Sequence, residues 1–180
     1  MEKIRLDKFL SSQLNISRTD AKKLIKSKTV TVNGTGVSKA EFSVNTAYDK
    51  VCVGSKEVSY KKHIYIMLNK PKGVVSASAS ETDVTVVDLV SESLKRSGLF
   101  PAGRLDKDTT GFVLITDDGE FAHNILSPSH HIEKEYEVTL EREVSGDEIS
   151  AFSEGINLGD ILLKPASLDF LQFNKDREDK

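Results

Sequence analysis

A glycine, an arginine and an aspartate lie close together directly before an apolar stretch of the chain. They belong to the run GRLDKDTTG, in which Arg104 and Asp106 are two residues apart. The run leads into Phe112–Thr116, whose β-branched and aromatic residues predict a strand. A carboxylate at such a position can act as a nucleophile or as a general base. The alternative is a strand-edge carboxylate that pairs with Arg104 and serves stability alone.

Arg104 is expected to lie beside Asp106, because side chains two residues apart on a strand point to the same face. Its charge would then favour the ionised form of the carboxylate. The guanidinium could instead hold a phosphate group of a nucleotide ligand.

A metal site is not expected. His130 and His131 are adjacent, and no acidic or cysteine partner lies at metal-ligand spacing from them. Asp108, Asp117 and Asp118 are next to threonines and glycines, a context typical of turns and helix caps rather than of a carboxylate metal cluster.

Composition limits the class of protein. The chain has 180 residues, 38% hydrophobic and 29% charged, which suits one medium globular domain or two small ones. Its longest apolar runs, Ile64–Leu68 and Phe112–Ile115, are too short to span a bilayer, and the first residues lack the apolar core of a signal peptide. The single Cys52 excludes an internal disulfide and a cysteine-rich zinc site. We therefore expect a cytoplasmic protein without a membrane partner.

Charge divides the chain into a basic front and an acidic body. Residues 1–62 contain 13 Lys and Arg against 6 Asp and Glu, whereas residues 63–180 contain 12 against 22. A basic front indicates a polyanionic partner, although a solvated lysine-rich helix face would look the same.

The front contains two predicted helices and a hairpin. The first helix covers Arg5–Gln13, and the second follows a capping box in which Ser17 is the N-cap and Asp20 replaces the usual glutamate. Val30–Val32 followed by Asn33-Gly34 predicts a strand and a tight turn.

These front elements resemble the S4-type RNA-binding domain. In that family the second helix and the adjoining loop face RNA. The resemblance therefore implies RNA contacts from basic side chains, which are Arg5, Lys8, Arg18, Lys22, Lys23 and Lys26. Such side chains give affinity for phosphates but little base specificity.

The body carries three motifs that resemble those of the RsuA-like pseudouridine synthases, which modify small-subunit ribosomal RNA. The most specific is the run around Asp106. The others are Asn69-Lys70-Pro71-Lys72-Gly73, whose Lys70 and Lys72 could contact RNA phosphates, and Lys134-x-Tyr136 at the start of a predicted strand, Tyr136–Leu140. The resemblance implies that Asp106 is the catalytic residue, that Tyr136 is an active-site tyrosine and that no cofactor is needed.

We therefore expect an α+β protein with an S4-like RNA-binding domain over residues 1–60 and a mixed-sheet catalytic domain over residues 61–180. Its expected activity is the isomerisation of a uridine in small-subunit ribosomal RNA, within an assembly particle, by a monomer. Two alternatives are a synthase for large-subunit ribosomal RNA and a non-catalytic RNA-binding assembly protein. A third, a carboxylate-dependent hydrolase, is disfavoured because glycosidases need a pair of acids.

One motif of the family is not found in this sequence. Members continue into a third motif with a basic active-site residue, whereas this chain ends at Lys180, soon after a strand predicted over Leu168–Phe173. A sheet that stopped there would leave an unpaired edge. We therefore expect a protein of these 180 residues to bind RNA but to convert little or no uridine, and a longer product to restore conversion. A tritium-release assay on both lengths at equal folded concentration tests this expectation.

Overall fold

The structure, a computed structural model, describes residues 3–130 and 132–170. Two compact units divide the chain, one ending at Glu133 and the other beginning at Lys134. The first unit has two hydrophobic cores, one within residues 4–58 and one within residues 74–115. Helices and antiparallel sheets both contribute, which confirms the α+β class. The predicted domain boundary near residue 60 falls between the two cores and stays a prediction.

Two short helices, α1 (Leu6–Leu14) and α2 (Arg18–Lys26), pack against each other at the front of the chain. Residues three and four apart share one face of a helix. For this reason Leu6, Phe9 and Leu10 of α1 are all buried in the first core, where they meet the apolar face of α2. Both predicted helices are confirmed.

The start of α2 also follows the prediction. The Ser17 hydroxyl oxygen accepts a hydrogen bond from the backbone N–H of Asp20 at 3.0 Å. The same hydroxyl donates to the Asp20 carboxylate at 2.6 Å. The Ser17 hydroxyl and the Asp20 carboxylate are thus hydrogen-bonded to each other at the start of the helix. The hydrogen bond from Ser17 holds the pKa of the Asp20 carboxyl below its ordinary value.

Short antiparallel strands complete the front. Strands β1 and β4 pair with each other, and a second sheet has the order β3-β2-β5-β6. The turn between β2 and β3 is Asn33-Gly34, with φ angles of 52° and 79°, as a type I′ hairpin requires. The strands are β1 (Lys3–Arg5), β2 (Val30–Val32), β3 (Thr35–Gly36), β4 (Ser43–Asn45), β5 (Val51–Val53) and β6 (Lys56–Glu57).

A three-stranded antiparallel sheet forms the second part of this unit. Its order is β7 (Tyr65–Lys70), β9 (Gly111–Thr116) and β8 (Phe100–Ala102). Side chains alternate between the two faces of a strand. Ile66 and Leu68 therefore face the second core with Val113 and Ile115. Lys70 continues the same row and is fully buried.

Helix α3 (Gly119–Leu126) follows β9 directly, where a helix was predicted. Asp118 is its N-cap, and its carboxylate accepts a hydrogen bond from the Phe121 N–H at 3.0 Å. That bond, with a further one from the Tyr65 hydroxyl, lowers the pKa of Asp118. The interpretation of Asp118 as a helix-cap residue is confirmed.

The sequence of Thr85–Val90 predicts the opening of a helix, but this prediction is wrong, because the segment forms turns. The N–H and the hydroxyl of Thr85 both donate to the Asp88 carboxylate at 2.8 Å. Such local bonds from side chain to backbone offer the chain an alternative to helical hydrogen bonds.

The strand predicted over Tyr136–Leu140 is also wrong. Residues 132–140 have no regular secondary structure, and their side chains are exposed. A strand forms only where another strand satisfies its backbone groups, and local alternation of residues does not supply that partner. The second unit instead contains α4 (Gly146–Glu154), where hydrogen bonds from Ser145 lower the pKa of Glu148 to about 2.

The chain end was predicted as a strand over Leu168–Phe173. Residues 168–170 are irregular, and Leu171–Phe173 lie outside the described residues, as does His131. Across residues 3–130 and 132–170, no helix has the length and apolar character that crossing a membrane requires.

Asp7 leads to a prediction about stability and pH. Its carboxylate is buried and accepts two hydrogen bonds from the Arg5 guanidinium, at 3.0 and 2.9 Å, which hold its pKa below the ordinary 3.8. A lowered pKa stabilises the fold above the unfolded-state value, and this stabilisation is lost as the pH falls through the folded-state value. Asp7→Asn should reduce the free energy of unfolding by about 1–3 kcal/mol at pH 7.

The difference between the wild type and Asp7→Asn should shrink as the pH falls below about 4. Urea unfolding at a series of pH values measures both quantities. A constant difference down to pH 2 would contradict the role given to the Arg5–Asp7 pair.

Candidate active site

Asp106 lies in the loop between β8 and β9, not on a strand. The expectation that Arg104 and Asp106 share one strand face is therefore wrong. Both side chains are exposed. Within the described part of the chain, neither side chain takes part in a hydrogen bond or an ion pair. The carboxylate is thus not used to stabilise the loop, and the alternative of a structural Arg104–Asp106 pair has no support.

The backbone of this loop is held by the ammonium group of Lys70. Its Nζ donates to the carbonyl oxygens of Asp106 at 2.9 Å, Lys107 at 3.1 Å and Thr109 at 2.7 Å. A weaker fourth bond, of 3.3 Å, goes to the carbonyl of Pro71. Hydrogen bonds from a charged donor are stronger than neutral ones. The fully buried ammonium group of Lys70 therefore holds the backbone of the loop in place.

Lys70 was predicted to contact RNA phosphate, and the structure corrects that expectation. Its side chain has no exposed surface, and its donors are directed at backbone carbonyls. Lys72, two residues later, is exposed and remains available to a phosphate. Strand alternation was the signal for the burial of Lys70, since it places Lys70 in the same row as Ile66 and Leu68. Lys72 differs because the strand ends at Lys70, before Pro71.

A second set of hydrogen bonds holds the same loop from the segment after β7. The Ser76 hydroxyl donates to the Leu105 carbonyl at 2.8 Å and accepts from the Leu105 N–H at 3.0 Å. The Gly73 N–H donates to the Lys107 carbonyl at 2.8 Å. The motif around Lys70 thus supports the Asp106 loop through its backbone, a role that sequence reasoning missed because the partners are about 30 residues apart.

The two glycines of the motif have backbone angles that other residues rarely adopt. Gly103 has φ of 105° and Gly111 has φ of 130°. A Cβ atom at Gly103 would also lie 3.4 Å from the Leu126 side chain. Glycine at both ends therefore allows the chain to leave β8, form the loop and enter β9.

Lys107 extends the contacts of the loop outward. Its Nζ lies 2.6 Å from the Asp83 carboxylate, in an ion pair whose side chains are partly exposed. The hydrogen bond between them lowers the pKa of Asp83 and raises the pKa of Lys107. The side chain next to Asp106 is therefore already paired, whereas Arg104, Asp106 and Asp108 form no ion pair within the described residues.

Tyr136 belongs to the second unit, and its side chain is 60% exposed. Its role at an active site stays a prediction. Among the described residues no group of three or more His, Cys, Asp and Glu side chains could hold a metal ion.

The basic residues of the front lie on the exposed sides of α1 and α2 and just before α1. Arg5 is held by Asp7, and the charge of Arg18 also acts on that carboxylate. Lys23 pairs with Asp20 at 3.0 Å. Of the six residues predicted to contact RNA, those with no ion pair in the part of the chain that the structure describes are Lys8, Arg18, Lys22 and Lys26.

Comparison with known proteins identifies the family. A model of the RNA pseudouridylate synthase family matches residues 64–169, which is more than half of the chain. The chain belongs to the RNA pseudouridylate synthase family. A model of the S4 domain matches residues 4–47. The predicted family, an isomerase family with an S4 domain in this branch, is confirmed.

Several relatives of this synthase are similar over most of the chain. An uncharacterized RNA pseudouridine synthase of Bacillus subtilis, YtzG, is 40% identical over 167 residues, which cover 92% of this chain and 70% of that protein. A ribosomal small subunit pseudouridine synthase A of Escherichia coli is 41% identical over 170 residues, covering 93% and 73%. An Aquifex aeolicus relative is 43% identical over 152 residues, covering 84% and 63%.

A solved structure supports the fold of the synthase. A crystal structure of a pseudouridylate synthase is 34% identical, with a TM-score of 0.52, and the match covers 94% of this chain and 73% of that one. This chain therefore spans about two thirds to three quarters of the length of these relatives.

The buried ammonium of Lys70 leads to a prediction for this synthase. Lys70→Met keeps an unbranched side chain but removes the charged donor from the carbonyls of Asp106, Lys107 and Thr109. The Asp106 and Lys107 carbonyls keep one backbone donor each, whereas the Thr109 carbonyl keeps none among the described residues. The free energy of unfolding should fall by about 2–4 kcal/mol. The amide proton of Thr109, which bonds to the Asp106 carbonyl at 3.0 Å, should exchange faster with solvent.

Lys72→Met is the matched control, because it makes the same change two residues away on an exposed side chain. It should alter the stability by less than about 0.5 kcal/mol. Urea unfolding and amide hydrogen exchange measure both variants. Equal losses in the two would contradict the role of Lys70.

Proposed function

We propose that this protein converts a uridine of small-subunit ribosomal RNA to pseudouridine, with Asp106 as the nucleophile and without a cofactor. The observation that carries the proposal is an exposed, unpaired carboxylate on a backbone that is fixed by the buried ammonium of Lys70. A catalytic group needs this combination of a free side chain and a defined position. The substrate class follows the name of the E. coli relative, ribosomal small subunit pseudouridine synthase A.

The reaction breaks the bond between uracil N1 and ribose C1′, turns the base and joins C5 to C1′. Asp106 either attacks C1′ or assists removal of the 2′ hydrogen to give a glycal, and both routes need an ionised carboxylate near the ribose. The isomerisation balances without an oxidant or a metal ion. The target uridine must leave its stack to reach Asp106.

Arg104 and Tyr136 have supporting roles in this proposal. Arg104 is exposed and two residues from Asp106, so it can hold a phosphate next to the target nucleotide. Tyr136 is proposed to stack on the detached uracil and to remove the C5 proton at the end of the reaction.

Docking on RNA is assigned to residues 1–60 and catalysis to residues 61–180. Lys8, Arg18, Lys22 and Lys26 offer exposed cations without ion pairs in residues 3–130 and 132–170, and the S4 model matches this part of the chain. Ribosomal RNA within a small-subunit assembly particle in the cytoplasm is the proposed partner, and the protein is proposed to act as a monomer.

Asp106→Asn tests the chemistry. The change keeps the size of the side chain but removes its charge and nucleophilicity. Conversion should fall by on the order of 10⁴-fold or more, as expected for the loss of a covalent nucleophile. Folding and RNA affinity should stay nearly unchanged.

Asp108→Asn, an exposed carboxylate in the same loop, is the matched control and should retain conversion. A mass-shift assay on small-subunit ribosomal RNA measures both variants in a form of the protein that is active. Retained turnover by Asp106→Asn would overturn the mechanism, and an inactive wild type at every length would favour a non-catalytic assembly protein.

Replacing Lys22, Lys23 and Lys26 by alanine tests the docking surface. Each lost phosphate contact should lower the slope of log affinity against log salt by about 0.7–0.9. Lys23 is engaged by Asp20, so its share should be smaller than that of the other two. Conversion at saturating RNA should change much less than affinity. Titrations at several salt concentrations measure the slope, and an unchanged slope would mean that these lysines form only a solvated face.

A further inference from the structure

The segment Lys61–Ile64 joins the two cores of the first unit. Val58 is the last buried residue of the first core, and Ile64 packs against the second. A linker of this length would leave the two parts free to turn if its backbone were not held. In this structure residues of the front and of the body both hydrogen-bond to the backbone of the linker.

The front of the chain binds the linker through the side chain of Gln13 in α1. Its side-chain oxygen accepts the Lys61 N–H at 2.9 Å, and its Nε2 donates to the Lys61 carbonyl at 3.2 Å. Both backbone groups of one residue are thus bound by one amide. Ser12 accepts a further bond from the same Nε2, which orients the amide.

The body of the chain binds the same linker residue, Lys61, through the side chain of Arg96. Its Nη1 donates to the Lys61 carbonyl at 3.1 Å, and its Nη2 lies 3.4 Å from the Lys62 carbonyl. One carbonyl oxygen, that of Lys61, therefore accepts bonds from both parts of the unit. The rigid fork of an arginine suits this task because it presents several donors in one plane.

Asp117 connects Arg96 to the catalytic side of the sheet. Its carboxylate forms an ion pair with Arg96, whose Nε lies 3.0 Å away, and accepts the Ile64 N–H at 3.0 Å. Only 12% of the Arg96 side chain and 10% of the Asp117 side chain are exposed, so solvent screens the pair weakly. Asp117 directly follows β9, and β9 begins at the end of the Asp106 loop. The contacts thus run from α1 to the strand that positions Asp106.

We propose that Gln13 and Arg96 are positioning residues that clamp Lys61 and so decide which uridine of a docked RNA reaches Asp106. This inference rests on the proposed function, because it needs RNA docked on the front and chemistry at Asp106. Lysine contacts with phosphates select no base. A fixed distance and angle between the docking surface and Asp106 supplies selection by geometry, and a loose linker lowers the effective concentration of the correct uridine.

Gln13→Ala tests the clamp at small structural cost, and Ser11→Ala is its control. Ser11 lies on the same helix, and among the described residues its side chain makes one hydrogen bond, to the Lys8 carbonyl at 3.2 Å, without reaching the linker. Conversion of a long RNA that touches both parts should fall about threefold to tenfold for each lost bond in Gln13→Ala. Conversion at neighbouring uridines should rise. RNA affinity, and conversion of a short RNA that reaches only Asp106, should stay at the level of Ser11→Ala.

Arg96→Lys supplies a second, independent variant. It keeps the positive charge beside Asp117 but loses the fork that reaches two carbonyls. If both residues act through one clamp, Gln13→Ala with Arg96→Lys should be little worse than either change alone, since residues of one network are not additive. Additive losses, equal on long and short RNA, would show a merely structural role and overturn the proposal.

Spin labels provide a readout that needs no catalysis. In a Cys52→Ser background, labels at Thr19→Cys and Ser93→Cys report the distance between the front and the body. The distance distribution should be narrow in the parent and broader after Gln13→Ala, and an unchanged distribution would overturn the clamp. If the wild type converts no uridine at any chain length, the proposed function and uridine selection both fail, whereas the distances still decide whether the clamp exists.

Discussion

A buried ammonium group organises the catalytic half of this protein. Removing a charge from water costs several kcal/mol unless hydrogen bonds replace its hydration. The carbonyls of Asp106, Lys107 and Thr109 replace it here, and they meet at one point only when the loop is folded. The position of Lys70 at the end of β7 therefore couples the shape of the loop to the sheet below it. The sheet and the backbone of the loop therefore stabilise each other.

In this arrangement the backbone and the side chains of the motif have different environments. Ser76 and Gly73 also bind the loop, so five backbone groups from Leu105 to Thr109 are bound by residues outside the motif. The side chains of Arg104 and Asp106 are left in solvent. A site of this kind keeps its reactive group in place before substrate arrives, which reduces the entropy lost in the reaction.

In the proposed function, RNA docking and the chemistry at Asp106 also belong to different parts of the chain. The proposed function assigns phosphate binding to the cations on α1 and α2, and chemistry on uridine to the carboxylate of Asp106. Selectivity then depends on how the two are held relative to each other. The nearly buried Arg96–Asp117 pair, and the shared carbonyl of Lys61, are the contacts that connect them.

The sequence alone determined the features that depend on near neighbours. The stripe of Leu6, Phe9 and Leu10, the cap at Ser17 and the Asn33-Gly34 turn each arise from residues within a few positions of one another. The motif around Asp106 was enough to indicate the family. Local patterns were misleading where another local bond competed, as between Thr85 and Asp88, and where a strand needed a distant partner, as at Tyr136–Leu140.

Only the tertiary structure decided the role of Lys70 and the state of Arg104 and Asp106. The carbonyl partners of Lys70 lie 36 to 39 residues away, apart from its neighbour Pro71, and strand alternation predicts burial without naming them. Arg104 and Asp106 were expected to share a strand face, but the glycines at positions 103 and 111 and the bonds from Lys70 form a loop instead. Contacts between distant parts of the chain set that loop, because the carbonyls of Asp106, Lys107 and Thr109 bind where the fold places Lys70.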